Sequence, residues 1–127
     1  MRFARFALVG ASGFVVDTAV LYLAMHGGAG LYLGRLFSYL AAATFTWFCN
    51  RRFTFAVDRS PSMREWLAFL VANSVGGAFN YAVYAGLVAT QAMVASHPVL
   101  GVGAGACAGL AINFALSRRV FRASAAS

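Results

Sequence analysis

From Phe6 to Met25 the chain runs through one turn after another of apolar side chains, interrupted by a single charge, Asp17. Three further runs of this kind cover about 31–50, 66–90 and 98–117. A helix that crosses a bilayer needs about 20 mostly apolar residues, so each run is long enough to span. A soluble fold is a poor alternative. Of 127 residues, 61% are hydrophobic and 10% charged, against about 25% charged in ordinary globular domains. A soluble domain of this size buries only about two thirds of the surface its unfolded chain exposes. The mean hydropathy of +0.75 points the same way. The expected class is all-α and integral to the membrane: one domain, 1–127, with four transmembrane helices. Arg2 and Arg5 ahead of the first run give it a signal-peptide look. Asp17 interrupts that apolar stretch, and no small-x-small cleavage pattern precedes His26, so the run reads as a retained span.

The charges are few and sorted. Ten arginines, no lysine and three acids give a net charge of +7. Basic chains often bind nucleic acid, but these arginines sit at the ends of apolar runs, which suits membrane topology better. Arg2 and Arg5 precede the first span. Arg51, Arg52, Arg59 and Arg64 join the second to the third, and Arg118, Arg119 and Arg122 follow the fourth. With four spans all nine fall on one side, while the opposite loops carry His26 and His97, with Arg35 nearby. The positive-inside rule then puts both termini in the cytoplasm. In the polar stretch between spans two and three, Ser60-Pro61 reads as a helix cap followed by proline at the first helical position. Cys49 and Cys107 lie in apolar stretches with no ligand-spaced partner, and read as small buried hydrophobes rather than a metal site or a disulfide.

An internal repeat organises the chain. A shift of 63 lays Phe6, Gly13 and Asp17 on Phe69, Gly76 and Asn80. A shift of 67 lays Gly34, Ser38, Ala42 and Thr46 on Gly101, Gly105, Gly109 and Asn113, and Asn50-Arg51-Arg52 on Ser117-Arg118-Arg119. Each ladder steps by four, which places its small residues on one helix face and lets backbones approach closely in lipid. Two such hairpins point the same way, a parallel repeat of the kind found in transporters.

Polar residues within the spans are candidates for function. Asp17 lies about eleven residues into its helix, roughly 17 Å deep and near the bilayer middle. Gly10, Gly13 and Asp17 share one face, as do Asn73, Gly76, Gly77, Asn80 and Tyr84 on the third span. From Arg35 to Arg51 is about 24 Å of helix, short of the roughly 30 Å hydrocarbon core. Arg35 therefore sits below the outer surface or snorkels up to it, within reach of Asp17. The doubled arginines Arg51, Arg52, Arg118 and Arg119, flanked by Phe53, Phe55, Val120 and Phe121, suit two purposes. One is topology alone. The other is a lipid phosphate, which arginine grips with its forked donors.

Several of these stretches resemble the GtrA-like family. The run from Arg5 to Asp17 is similar to the family's opening. Trp47-Phe48-Cys49-Asn50-Arg51-Arg52-Phe53-Thr54-Phe55 and Asn113-Phe114-Ala115-Leu116-Ser117-Arg118-Arg119-Val120-Phe121 are similar to its paired Asn-Phe-x-x-Asn-Arg-x-x-Phe ends. The resemblance covers about Arg5 to Phe121, with Thr46 and Ser117 standing where the pattern has asparagine. It implies a small four-helix protein of the cytoplasmic (inner) membrane, without cofactor, serving cell-surface polysaccharide biosynthesis. Its substrate would be a polyprenyl-phosphate-linked sugar, flipped to the outer leaflet for use by a membrane glycosyltransferase. Asp17, Arg35, Asn73, Asn80 and Asn113 would line a polar path for the headgroup, while the prenyl tail stays in lipid. The small-residue ladders offer a self-association face, and a homodimer is expected. Two other readings stay open: a small multidrug-type exporter whose acid couples drug to proton, and a non-transporting anchor for a glycosyltransferase. No Ser/His, Cys/His or paired-carboxylate constellation suggests an enzyme.

Overall fold

The computed structural model describes residues 1–126; Ser127, the end of the expected domain, lies outside them. The described residues are helical with no strand. Helix α1 covers Arg2–His26 and α2 Leu31–Cys49; a π-helical turn, Asn50–Thr54, continues α2. Helices α3 (Met63–Thr90), α4 (Ala92–Ser96) and α5 (Pro98–Ala126) follow. The chain divides into two compact units at Ser62/Met63. In the first, α1 packs on α2; in the second, α3 packs on α5.

Both pairs are built on the same close approach. A side chain at buried Gly13 would run into the Thr46 methyl group, and one at buried Gly76 would run into the Asn113 amide. The two contacts are equivalent under the repeat. In α5, a Cβ on Gly105 would lie 2.6 Å from the backbone oxygen of Asn80, and one on Gly109 would lie 2.9 Å from the Asn80 Cβ. Gly34 meets Leu21, Ala24 and Met25 at ordinary van der Waals distance. Lipid tails are as apolar as leucine, so van der Waals packing of this kind carries helix association. The ladders of Gly34, Ser38 and Ala42 and of Gly101, Gly105 and Gly109 were expected to offer a self-association face. They are spent inside the hairpins instead, because α1 and α3 already cover the positions where a partner's backbone would approach. A homodimer would have to use another face.

At the open end of each hairpin an aromatic pair closes the contact. Phe6 meets Phe55 edge to face at 6.4 Å, and Phe69 meets Phe121 at 5.8 Å. Phe6 and Phe69 are related by 63 residues, but Phe55 and Phe121 by 66, one less than the 67 that holds along the rest of α2 and α5. The first copy thus has one extra residue between its arginines and its phenylalanine. The π-helical turn absorbs it: the Phe55 N–H donates to the carbonyl of Asn50, five residues back, at 2.9 Å. A π turn holds an extra residue within a continuing helix, and so Phe55 stays on the face that α1 covers. At the other end, Gly28 takes a φ of 95° in the tight turn between α1 and α2, a conformation glycine adopts without steric cost.

Three helices are long and apolar enough to cross a membrane among the described residues: Arg2–His26, Met63–Thr90 and Val99–Ser124. Helix α2 does not reach that level. It carries Arg35 and five hydroxyl side chains, Tyr32, Ser38, Tyr39, Thr44 and Thr46. Three of those hydroxyls donate to carbonyls of their own helix: Ser38 to Arg35, Thr44 to Leu40 and Thr46 to Ala43. Ser12, Thr18, Ser74 and Thr90 do the same in α1 and α3. Such back-bonding supplies each hydroxyl with a partner where lipid offers none. The large apolar side chains face outward, with Phe14 at 71% and Leu23 at 72% exposure, the pattern of a surface meant for lipid.

The structure corrects several boundaries. Helix α3 begins at Met63, so Ser60-Pro61 lies in the preceding loop rather than at a helix start. Helix α5 runs on beyond Ser117, because no breaker follows Arg118-Arg119 and the helix continues through Phe121. Helix α4 fills the turn expected near His97. Cys107 is exposed and Cys49 half-buried, where both were expected to be buried; the apolar outer surface of a membrane helix takes a thiol as readily as its core does.

The glycine contacts can be tested directly. Gly105→Ala meets a backbone oxygen and is expected to destabilise the second hairpin by about 1–3 kcal/mol, the usual cost of overpacking. Gly77→Ala, whose Cβ would meet nothing within 4 Å, should be near neutral. Unfolding of both variants in detergent micelles, followed by circular dichroism, measures the difference.

Candidate functional site

The end of α2 carries the densest group of polar side chains. Asn50, Arg51 and Thr54 are all buried there. The Thr54 hydroxyl donates to Asn50 Oδ1 at 2.7 Å, which satisfies both groups inside the helix pair. Arg51 points back into the chain that follows it. Its guanidinium donates to the carbonyls of Val57 (3.4 Å) and Arg59. Ala56, with φ at 49°, turns the backbone out of the helix so that this return is possible. Arg5 reaches across from α1 to the Phe53 carbonyl at 3.4 Å.

The returning segment and the helix end enclose a cavity of about 310 Å³, lined by Phe48, Arg51, Arg52, Asp58, Arg59 and Pro61 among others. Three arginines and one aspartate are among its lining residues, so the cavity is positive. Arginine at a helix C-terminus is also favoured by the helix dipole. Such a cavity is fitted to an anion, and a phosphate oxygen pair matches the fork of a guanidinium. Of the four arginines expected to form a phosphate patch, Arg51 and Arg52 line this cavity. Arg118 and Arg119 stand exposed on α5, in the second unit. Among the described residues no group of three metal-ligating side chains occurs.

Deeper in the first hairpin, Arg35 reaches Asp17. Its Nη1 donates to both carboxylate oxygens, at 2.8 and 2.9 Å. The pair forms because residues 17 and 35 face each other across two antiparallel helices joined by a short turn. In the second hairpin the equivalent positions are Asn80 and Val102, and the charges are absent. Asn80 packs against Gly105 and Gly109, and Asn113 sits where Gly76 has no side chain. The Asn113 Oδ1 atom is buried and without a hydrogen-bond partner. Asn73 is half-buried on α3. A second cavity, also about 310 Å³ and mainly apolar, lies beside Asn80 and is lined by Gly77, Tyr81, Tyr84 and Val102.

Sequence reasoning missed several of these groups. Asp58 and Arg59 carry no motif and reach the cavity only because the loop returns over Arg51. Thr54 as the partner of Asn50 follows from four-residue spacing on a helix and was open to view. Glu65 is buried and accepts a hydrogen bond from the Ser124 hydroxyl, 59 residues away, a contact that no local pattern announces.

The ion pair yields a prediction. Asp17→Asn and Arg35→Met should each destabilise the protein, and the double variant by less than their sum. A coupling energy of about 0.5–3 kcal/mol is expected for contacting residues, read from a double-mutant cycle of unfolding in micelles.

Comparison with known proteins identifies a family. No curated protein matches the chain. A family profile described as GtrA/DPMS, transmembrane domain, matches residues 5–121, from the arginine that reaches Phe53 to the phenylalanine that meets Phe69. The match takes in both hairpins and both arginine-bearing helix ends. The chain therefore belongs to the GtrA/DPMS transmembrane domain family, as a multi-pass membrane protein of a kind linked to glycan biosynthesis.

Proposed function

We propose that this protein moves a polyprenyl-phosphate-linked sugar across the cytoplasmic membrane for cell-surface glycan synthesis. One observation carries the reading: an arginine-lined cavity, at the end of α2, in a chain of this family. The sugar and its phosphate are the parts that lipid repels, since each unsatisfied polar group in hydrocarbon costs several kcal/mol (roughly 4–8 on a cyclohexane scale). The prenyl tail needs no enclosure. A carrier of this size has only to offer polar stations along the headgroup's way.

The stations in this reading are as follows. The cavity of Arg52 and Arg59 takes the phosphate at the membrane surface. The Asp17–Arg35 pair lies deeper, and Arg35 can exchange its carboxylate for a phosphate oxygen, leaving Asp17 to accept from sugar hydroxyls. Asn73, Asn80 and Asn113 provide neutral amides in the second hairpin. All four long helices cross the membrane as two parallel-repeat hairpins, α2 included, with both termini and the arginine-rich ends in the cytoplasm as the charge asymmetry requires. The protein works without cofactor and is not itself an enzyme. A homodimer and a membrane glycosyltransferase that consumes the sugar are its proposed partners. A multidrug-type exporter is less well supported, because Arg35 already neutralises the one intramembrane acid such a mechanism would use.

Reconstitution into liposomes with a polyprenyl-phosphate hexose tests the proposal. The protein should speed the appearance of the sugar at the outer leaflet. Arg52→Ala/Arg59→Ala should slow that exchange about tenfold or more, since a charge-assisted hydrogen bond is worth about 1.5–3 kcal/mol. No exchange by folded protein that still binds the lipid would instead favour the anchor for a glycosyltransferase.

A further inference from the structure

The two copies of the arginine motif have the same sequence pattern and different surroundings. We infer that only the first copy is an anion site, and that within it Arg51 is a positioning residue that holds the 55–61 loop over the cavity while Arg52 and Arg59 bind a phosphate group. The inference deepens the proposed function and rests on it for the identity of the ligand. It concerns which arginines do what.

Three observations carry it. First, Arg51 is 6% exposed and its guanidinium is occupied by the carbonyls of Val57 and Arg59. A guanidinium engaged with two carbonyls two residues apart along the loop has those donors turned toward the protein. Arg52 and Arg59 are exposed and line the cavity. Second, the loop is held in a conformation it would not choose alone. Ala56 has a φ of 49°, in the left-handed region, where a residue with a Cβ is strained unless its surroundings fix it. The bonds from Arg51 lie directly beyond it in the chain. Third, the second copy has no such loop. Arg118 and Arg119 are exposed on a helix that continues to Ala126, and no residue inserts between them and Phe121 to break the α-helical pattern. The extra residue of the first copy, taken up in the π-helical turn, and the left-handed turn at Ala56 mark where the two copies part company.

The chemistry separates Arg51 from a simple source of charge. Arginine presents two terminal nitrogens in a rigid fork, and here each serves a different carbonyl. Lysine keeps the charge but gathers its three donors on one nitrogen, which cannot span both carbonyls in the same way. A residue acting through charge alone would tolerate lysine; a residue acting through the fork would not.

The experiment measures phosphate binding to full-length protein, as wild type and as single variants, with two probes. One is inorganic phosphate with protein in detergent micelles; the other is polyprenyl monophosphate with protein in nanodiscs. Circular dichroism and thermal unfolding check the fold of each variant. Arg51→Lys is expected to weaken binding about tenfold or more, the scale of a lost charge-assisted hydrogen bond. Arg52→Ala and Arg59→Ala should do the same, while Arg118→Ala and Arg119→Ala leave binding within about twofold of wild type. Much tighter binding of the polyprenyl probe assigns the site to a lipid headgroup, and equal binding assigns it to free phosphate; the division of roles holds in either case. Wild-type affinity in Arg51→Lys overturns the positioning role. If Arg51→Lys fails to fold, the comparison of Arg52 and Arg59 with Arg118 and Arg119 still decides the asymmetry, and equal losses at both pairs overturn it. The expected binding pattern together with no sugar-lipid exchange in liposomes would remove the translocation reading and leave this one standing. Exchange that persists while Arg51→Lys binds normally would do the reverse.

Discussion

Gly13 against Thr46 and Gly76 against Asn113 leave no room for a side chain at either glycine, and the rest of each hairpin is arranged around these two contacts. In water, apolar helices are driven together by the release of their surface from solvent. In a bilayer that drive is absent, because the alternative to a neighbouring helix is an equally apolar lipid tail. What remains is contact itself, many weak attractions that fade within an ångström of separation. A glycine opposite a filled position brings two backbones near enough for those attractions to add up. Once that register is set, Phe6 must meet Phe55, Phe69 must meet Phe121, and the helix ends that bear the arginines are placed as a consequence.

A duplicated pattern then becomes unequal at its ends. Asn50 and Ser117 are both buried at equivalent positions, and up to that point the hairpins match. One extra residue in the first copy forces a choice between turning Phe55 off its face and widening one turn of the helix. The widened turn keeps the aromatic contact, and the left-handed Ala56 then directs the chain back over Arg51. The second helix has neither and continues straight past its arginines. A difference of one residue in a packed helix thus separates a helix end that encloses a cavity from one that does not.

Much of this was legible in the sequence for physical reasons. Spans, repeat offsets and small-residue ladders are periodic, and periodicity survives without coordinates. The Asp17–Arg35 pair follows from hairpin geometry, since a short glycine turn sets the residues that face each other. The unequal spacing from Arg51 to Phe55 and from Arg118 to Phe121 was also present, and it is the one readable trace of the π-helical turn. Other features were hidden. A small-xxx-small ladder announces a close contact but not its partner, so Gly34, Ser38 and Ala42 suggested a second molecule where α1 is in fact the neighbour. An arginine at a helix end looks the same in sequence whether it faces solvent or turns inward. Arg51 turns inward because of where residues 57–59 travel, which is tertiary information. Glu65 and Ser124 belong to the same class.

The ion pair calls for a different account from the packing around it. Removing charges from water costs several kcal/mol per ion, and the attraction between them often does no more than repay it. The second hairpin shows that this architecture packs without such a pair: Asn80 and Val102 replace Asp17 and Arg35, and the helices meet as closely through Gly105 and Gly109. The pair is therefore not what a hairpin of this pattern needs in order to form. Its presence also puts a charge into α2, the one long helix that is not among the candidate membrane spans of the described residues. A charged pair that the fold can do without is best accounted for by what it can exchange. A guanidinium held by one carboxylate can be transferred to another oxyanion when the carboxylate it leaves gains other donors, here the sugar hydroxyls, so that neither charge is left bare. Such an exchange is open to a paired arginine in the first hairpin and closed to the neutral asparagines of the second, so the proposed function assigns its anion-handling chemistry to α1, α2 and the loop that follows them.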